Sequence, residues 1–180
     1  MDIRIFPGFQ MPPEPVMECF GTNPSLLGAF TCINNKQISV DGDCDVFIPV
    51  FPIMGREDSL FINKLMGPES PFNSNHVHFF NLKRQVTALD NNHVNWTRSL
   101  SYLPLDETKE WFNADSVIYF RKILEPGEWW YENRFDTLLS VMFQKKDRGF
   151  VNIIFFYKER SQFNVPALFN LLKGNIVYRD

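Results

Sequence analysis

The sequence predicts an α+β fold: one domain built on a mostly antiparallel sheet with two or three packed helices. Three observations predict it. Two apolar runs, Leu138 to Phe143 and Phe150 to Tyr157, flank a polar stretch containing Asp147 and Gly149, which is the pattern of a β-hairpin. A well-punctuated helix follows, with Asn164 as N-cap, Pro166 in the first turn and Gly174 placed to end it. The chain also lacks the regular strand–helix–strand alternation that a doubly wound parallel sheet requires.

Each element can be argued from its residues. The first 25 residues carry Pro7, Pro12, Pro13, Pro15 and Pro24, so residues 1–25 are expected to form an extended arm and residues 26–180 the single domain. Leu26 to Ile33 and Lys36 to Val40 read as a hairpin around Asn34-Asn35. Val46 to Phe51 reads as a strand that Pro49 confines to an edge or a bulge. After the Gly/Pro/Ser/Asn-rich loop from Gly67 to Asn75, His76 to Leu89 reads as a long strand, although neither of its faces is cleanly apolar. Asp90-Asn91-Asn92 would turn it, and Val94 to Tyr102 would return.

Pro104 and Asp106 open a helix with Asp106 as N-cap. Val117 to Phe120 is also a good strand sequence, so the end of that helix is left open before Pro126-Gly127 stops the segment. In the hairpin of residues 138–157 the second strand is apolar on both faces, which places it at the centre of the sheet. The last helix carries the stripe Val165, Leu168, Phe169 and Leu172, with Phe163 and Leu168 as a hydrophobic staple across the N-cap.

Composition narrows the functional classes. At 180 residues the chain can bury a core without staples. A hydrophobic share of 44% and a charged share of 22% speak against disorder. The net charge of −3 and the interspersed basic residues give no reason to expect nucleic acid. Lys145, Lys146 and Arg148 form the tightest basic cluster, and they fall in an expected turn. Cys19, Cys32 and Cys44 are odd in number and lack CxxC or Cys/His spacing, which argues for thiols in a reducing compartment. The N-terminus has no signal-peptide pattern and no apolar run is long enough for a bilayer, so a cytoplasmic location without membrane association is expected.

Three constellations bear on chemistry. His76 and His78, two apart on a strand, would share a face, and with His93 beside them could hold zinc or iron. The hairpin register puts His93 far from His78, however, so these are weak metal candidates. Asp41-Gly42-Asp43-Cys44-Asp45 starts like a calcium loop, but Val46 replaces the required Gly and Pro52 the required Glu, which leaves a polar turn. No nucleophile elbow, phosphate loop or dinucleotide fingerprint occurs, and no cofactor is implied.

Glu128-Trp129-Trp130-Tyr131-Glu132 is the most unusual local composition. Three adjacent large rings cannot all enter one core, so at least one is expected at a surface, flanked by carboxylates. With Phe occurring 19 times, aromatic contact area is abundant. The leading expectation is therefore a non-enzymatic module that binds another protein through Glu128, Trp129, Trp130, Tyr131 and Glu132. In general character, though in no motif, the chain looks like an immunity or antitoxin protein that blocks a toxin. A viral or phage accessory protein that binds a host factor would share that character. The rival expectation is a small metal-dependent enzyme or ligand-binding domain using His76, His78 or His93.

Overall fold

Seven strands form one antiparallel sheet in the computed structural model, which describes residues 5–12, 18–19, 32–33, 36–48, 56–68, 70, 73–90, 95–124, 134–159 and 161–179. Strands β1 (Phe9–Gln10), β4 (Lys36–Ser39), β5 (Cys44–Phe47), β9 (Gly149–Tyr157), β8 (Thr137–Lys145), β7 (Ser116–Ile123) and β6 (Ser101–Tyr102) lie side by side in that order. β2 (Glu18–Cys19) and β3 (Cys32–Ile33) form a separate antiparallel pair. The helices are α1 (Arg56–Met66), α2 (Val77–Asp90), α3 (Leu105–Phe112) and α4 (Val165–Leu172). The α+β architecture is the one the sequence predicts.

The centre of the sheet is the expected hairpin. β8 and β9 pair from Thr137↔Tyr157 to Lys145↔Gly149, and Asp147 and Gly149 adopt positive φ at the turn. β9 is the fourth strand of seven, and every one of its residues is buried. Its side chains alternate between two apolar layers with the period of two that a strand imposes. Val151, Ile153, Phe155 and Tyr157 pack with Leu139, Val141 and Phe143 under Phe112 of α3 and Leu168, Phe169 and Leu172 of α4. Ile154 and Phe156 pack with Leu138, Met142, Ile118 and Phe47 under Leu82 and Val86 of α2. A strand apolar on both faces is stable only where both are covered, and here helices cover both.

Several boundaries differ from the sequence expectation. His76 to Leu89 is helical, as α2, with no strand. Leu82, Lys83, Arg84, Gln85, Ala88 and Leu89 are strong helix formers, and β-branched residues are few. The buried residues His78, Leu82, Gln85 and Val86 recur at helical spacing, which explains why neither strand face looked clean. The run from Val94 onward gives a 3-10 turn at Trp96–Ser99 and only the two-residue β6, with no long returning strand.

The hairpin at β4 is formed with β5, through Lys36↔Phe47, Gln37↔Val46 and Ile38↔Asp45, while Cys32–Ile33 pairs with Glu18–Cys19. Asn34-Asn35 lies outside the described residues. β5 stops short of Pro49 and sits inside the sheet, between β4 and β9. α3 begins at Leu105 with Pro104 in the N-cap position, so Asp106 occupies the first turn. The segment after α3 is then strand β7. No element was expected at residues 56–66, which form α1.

In the Pro-rich arm, residues 5–12 join the domain. Phe6 and Phe9 enter the core, Phe6 N–H donates to Gln37 Oε1 at 2.8 Å, and β1 pairs with β4 at the sheet edge.

Candidate functional site

The helix α1 inverts the usual arrangement of an amphipathic surface helix. Its inner side is polar. Ser59 is fully buried, with its Oγ 2.7 Å from Ser74 Oγ. One turn later, Asn63 Nδ2 donates to Ser74 Oγ at 2.7 Å and Asn63 Oδ1 accepts from Ser74 N–H at 2.8 Å. Asn73 Nδ2 donates to the carbonyl of Gly67, which ends the helix with φ +81°. These bonds fasten α1 to the loop that leads into α2.

The outer side carries apolar residues among the charges of Glu57, Asp58 and Lys64. Phe61 is 67% exposed and Leu65 is 70% exposed, one helical turn apart, with Leu60 and Met66 exposed on the flanks. Helices normally turn that stripe toward the core. Single exposed apolar side chains are ordinary, but contiguous ones on one face mark interaction surfaces. Phe79 and Phe80 in the first turn of α2 are exposed as well.

Glu57 and Asp58 stand in the first turn of α1 and Lys64 in the last, each exposed and each at the helix end that its charge favours. The sequence reading missed this helix; the signals that could have found it are that punctuation, closed by Gly67, and the polar pair Ser59 and Asn63 opposite Phe61.

Under α2 lies a second polar feature, buried and closed. Ser140 Oγ is 2.8 Å from Gln85 Oε1 and 3.0 Å from Asn152 Oδ1, joining β8, β9 and α2 at the middle of the sheet. A hydroxyl has one proton, so Ser140 donates to one of the two amides at a time. Gln85 Nε2 and Asn152 Nδ2 have no hydrogen-bond partner among the described residues. On the same helical stripe, His78 is 3% exposed, its ring centroid is 4.4 Å from that of Phe79, and its Nδ1 has no partner among the described residues. Burial and the neighbouring His76 lower the His78 pKa to about 4, so the imidazole is neutral near neutrality.

The remaining sequence candidates separate. His76 is exposed in the turn before α2, whereas His78 points inward, so the shared strand face proposed for them does not exist. His93 lies outside the described residues, as do Glu128, Trp129, Trp130, Tyr131 and Glu132. Among the described residues no group of three or more His, Cys, Asp or Glu is placed to hold a metal ion.

The Asp41–Asp45 stretch runs from the Ser39–Gly42 turn into β5, and its carboxylates are dispersed. Asp41 Oδ1 accepts from Asp43 N–H at 3.0 Å, Asp43 Oδ1 pairs with Lys158 Nζ at 2.6 Å, and Asp45 is buried with Oδ2 3.0 Å from Lys36 Nζ. Cys44 is buried, and desolvation pushes its thiol far above the ordinary range, so it stays protonated. A cleft of about 290 Å³ between the β1 turn and α4 is lined by Pro7, Phe9, Phe163, Ala167 and Leu171, with Gln162 at its rim held by Asp41. It offers apolar surface and one amide.

Fold and site together define an α+β domain that carries one outward apolar helix. Comparison with known proteins finds no matching family model, no similar curated protein and no similar solved structure. No helix among the described residues is long and apolar enough to cross a membrane.

Proposed function

We propose that this chain is a non-enzymatic protein-binding module whose contact surface is the outer face of α1. One observation carries the reading. Phe61 and Leu65 stand outward on a helix whose polar side is fastened inward. Fully burying a Phe or a Leu gains roughly 1.5–3 kcal/mol each, and this helix forgoes that gain within its own fold. An aromatic and an aliphatic anchor ringed by charges is the composition of a protein interface core with its rim. A membrane surface fits less well, because Glu57 and Asp58 would face anionic headgroups.

In its narrower form the reading is of a cytoplasmic immunity- or antitoxin-type protein that neutralises a toxin. Single-domain size and the mildly acidic charge of −3 support it. The segment Glu128–Glu132 remains the proposed second contact.

The test is stoichiometric capture of a partner by the full chain, repeated with Phe61→Gln and Leu65→Gln. A retained partner that both substitutions release supports the module. If that partner is a toxin whose activity the chain blocks, the narrower form is supported too. Capture and self-association both indifferent to the two substitutions would overturn the α1 surface.

A further inference from the structure

The occupant of the α1 face can be read from its charges. We propose that two copies of this chain pair through α1, antiparallel, with Phe61 at the two-fold axis; this rests on α1 being a protein-contact surface.

Residues on an α-helix advance by about 100° each, so azimuths can be counted from Phe61. Ser59 and Asn63 then lie about 160° away on either side, on the fastened face. Glu57 and Lys64 lie about 40° and 60° to one side of Phe61, and Leu65 and Asp58 lie about 40° and 60° to the other. One flank is therefore charged with opposite signs at its two ends, and the other pairs an aliphatic with a carboxylate. All five of these outer residues are exposed.

In an antiparallel two-fold pair, each flank meets the same flank of the other copy running the opposite way. Glu57 of one copy then faces Lys64 of the other, and symmetry repeats the contact. Phe61 meets Phe61, while Leu65 covers the stem beside Asp58. The helix dipoles also lie antiparallel, each positive end beside the other's negative end. A parallel pair would set opposite flanks together at the same height. That brings Glu57 against Asp58 at the acidic ends, where like charges repel. Self-complementary charges thus fit a second copy and set its direction as antiparallel. The strip is one short helix, below the size of a standard stable interface, so the expected dimer is weak and concentration-dependent.

Sedimentation of the full chain over rising concentration tests this. A monomer–dimer equilibrium is expected, weakened about tenfold or more by Phe61→Gln. Glu57→Lys alone and Lys64→Glu alone should each weaken it several-fold, because each creates two like-charge contacts. The double reversal, Glu57→Lys with Lys64→Glu, should restore it. All these positions are exposed, so the variants are expected to fold, and circular dichroism is the check.

A chain that stays monomeric at millimolar concentration overturns the pairing. So does a dimer indifferent to Phe61→Gln, or a double reversal no tighter than the single ones. A monomer that still holds a foreign partner through Phe61 overturns the pairing and leaves the contact-surface reading standing. If no partner of either kind depends on Phe61, both fall.

Discussion

Single residues inside this fold hold groups that water would normally serve, and their environments set how the protein responds to pH. His78 has its pKa lowered from 6.5 to about 4 by burial. In the window between those values the unfolded chain binds a proton that the folded chain refuses. Stability therefore falls as the pH drops through 6.5, and the loss is complete below about 4, amounting to roughly 3 kcal/mol. Urea unfolding near neutrality and at about pH 4.5 should show this loss in the native chain, and His78→Leu should remove most of it. An equal pH dependence in both proteins would contradict the burial of that ring.

Ser140 makes a second residue-scale case. Ser140→Ala leaves the Gln85 and Asn152 amides facing each other without their shared hydroxyl, at an expected cost of about 1–3 kcal/mol in unfolding free energy. Neither residue was singled out in the sequence, because a Ser or an Asn inside an apolar run signals nothing until a helix lies over it.

Elements were legible where punctuation and period agreed. α4 begins where Asn164 caps it, with its side chain accepting from Ala167 N–H at 3.0 Å. Asn164→Ala should lower stability by about 1 kcal/mol, read as a shift of the urea midpoint. The β8–β9 hairpin was legible for the same reason. The turn between β4 and β5 was legible as a turn but was assigned to no hairpin. Gly42 there has φ +74°, and a Cβ would meet only Arg134 Nη2 at 3.7 Å. Gly42→Ala should therefore destabilise by about 1–2 kcal/mol through backbone strain alone.

α2 was misread because its inward stripe carries His78 and Gln85 among apolar residues, and its first turn exposes Phe79 and Phe80. Buried polar and exposed aromatic residues together erase the helical pattern. α1 passed unnoticed for a related reason. Its apolar residues face outward, so they suggest no packing partner within the chain.

At the scale of the molecule, the sequence expectation of a centrally buried strand organises everything else. β9 lies at the middle of seven strands, and its two faces seed the two apolar layers. Phe155→Ala should cost roughly 3–5 kcal/mol, since the ring is fully enclosed. The candidate site was not legible in the same way. Glu128–Glu132, chosen for its three adjacent rings, lies outside the described residues, and the surface carried by the fold is α1. A contact surface is defined by what a helix leaves uncovered, and only the assembled layers show that.

The account turns on whether Phe61 and Leu65 belong to the exterior. The unfolding free energy of the double variant Phe61→Gln, Leu65→Gln, measured by urea titration in dilute solution, decides it. Two good helix formers on a solvated face should leave the value within about 0.5 kcal/mol of the native chain. A loss of several kcal/mol would place both side chains in the core and contradict an outward docking helix.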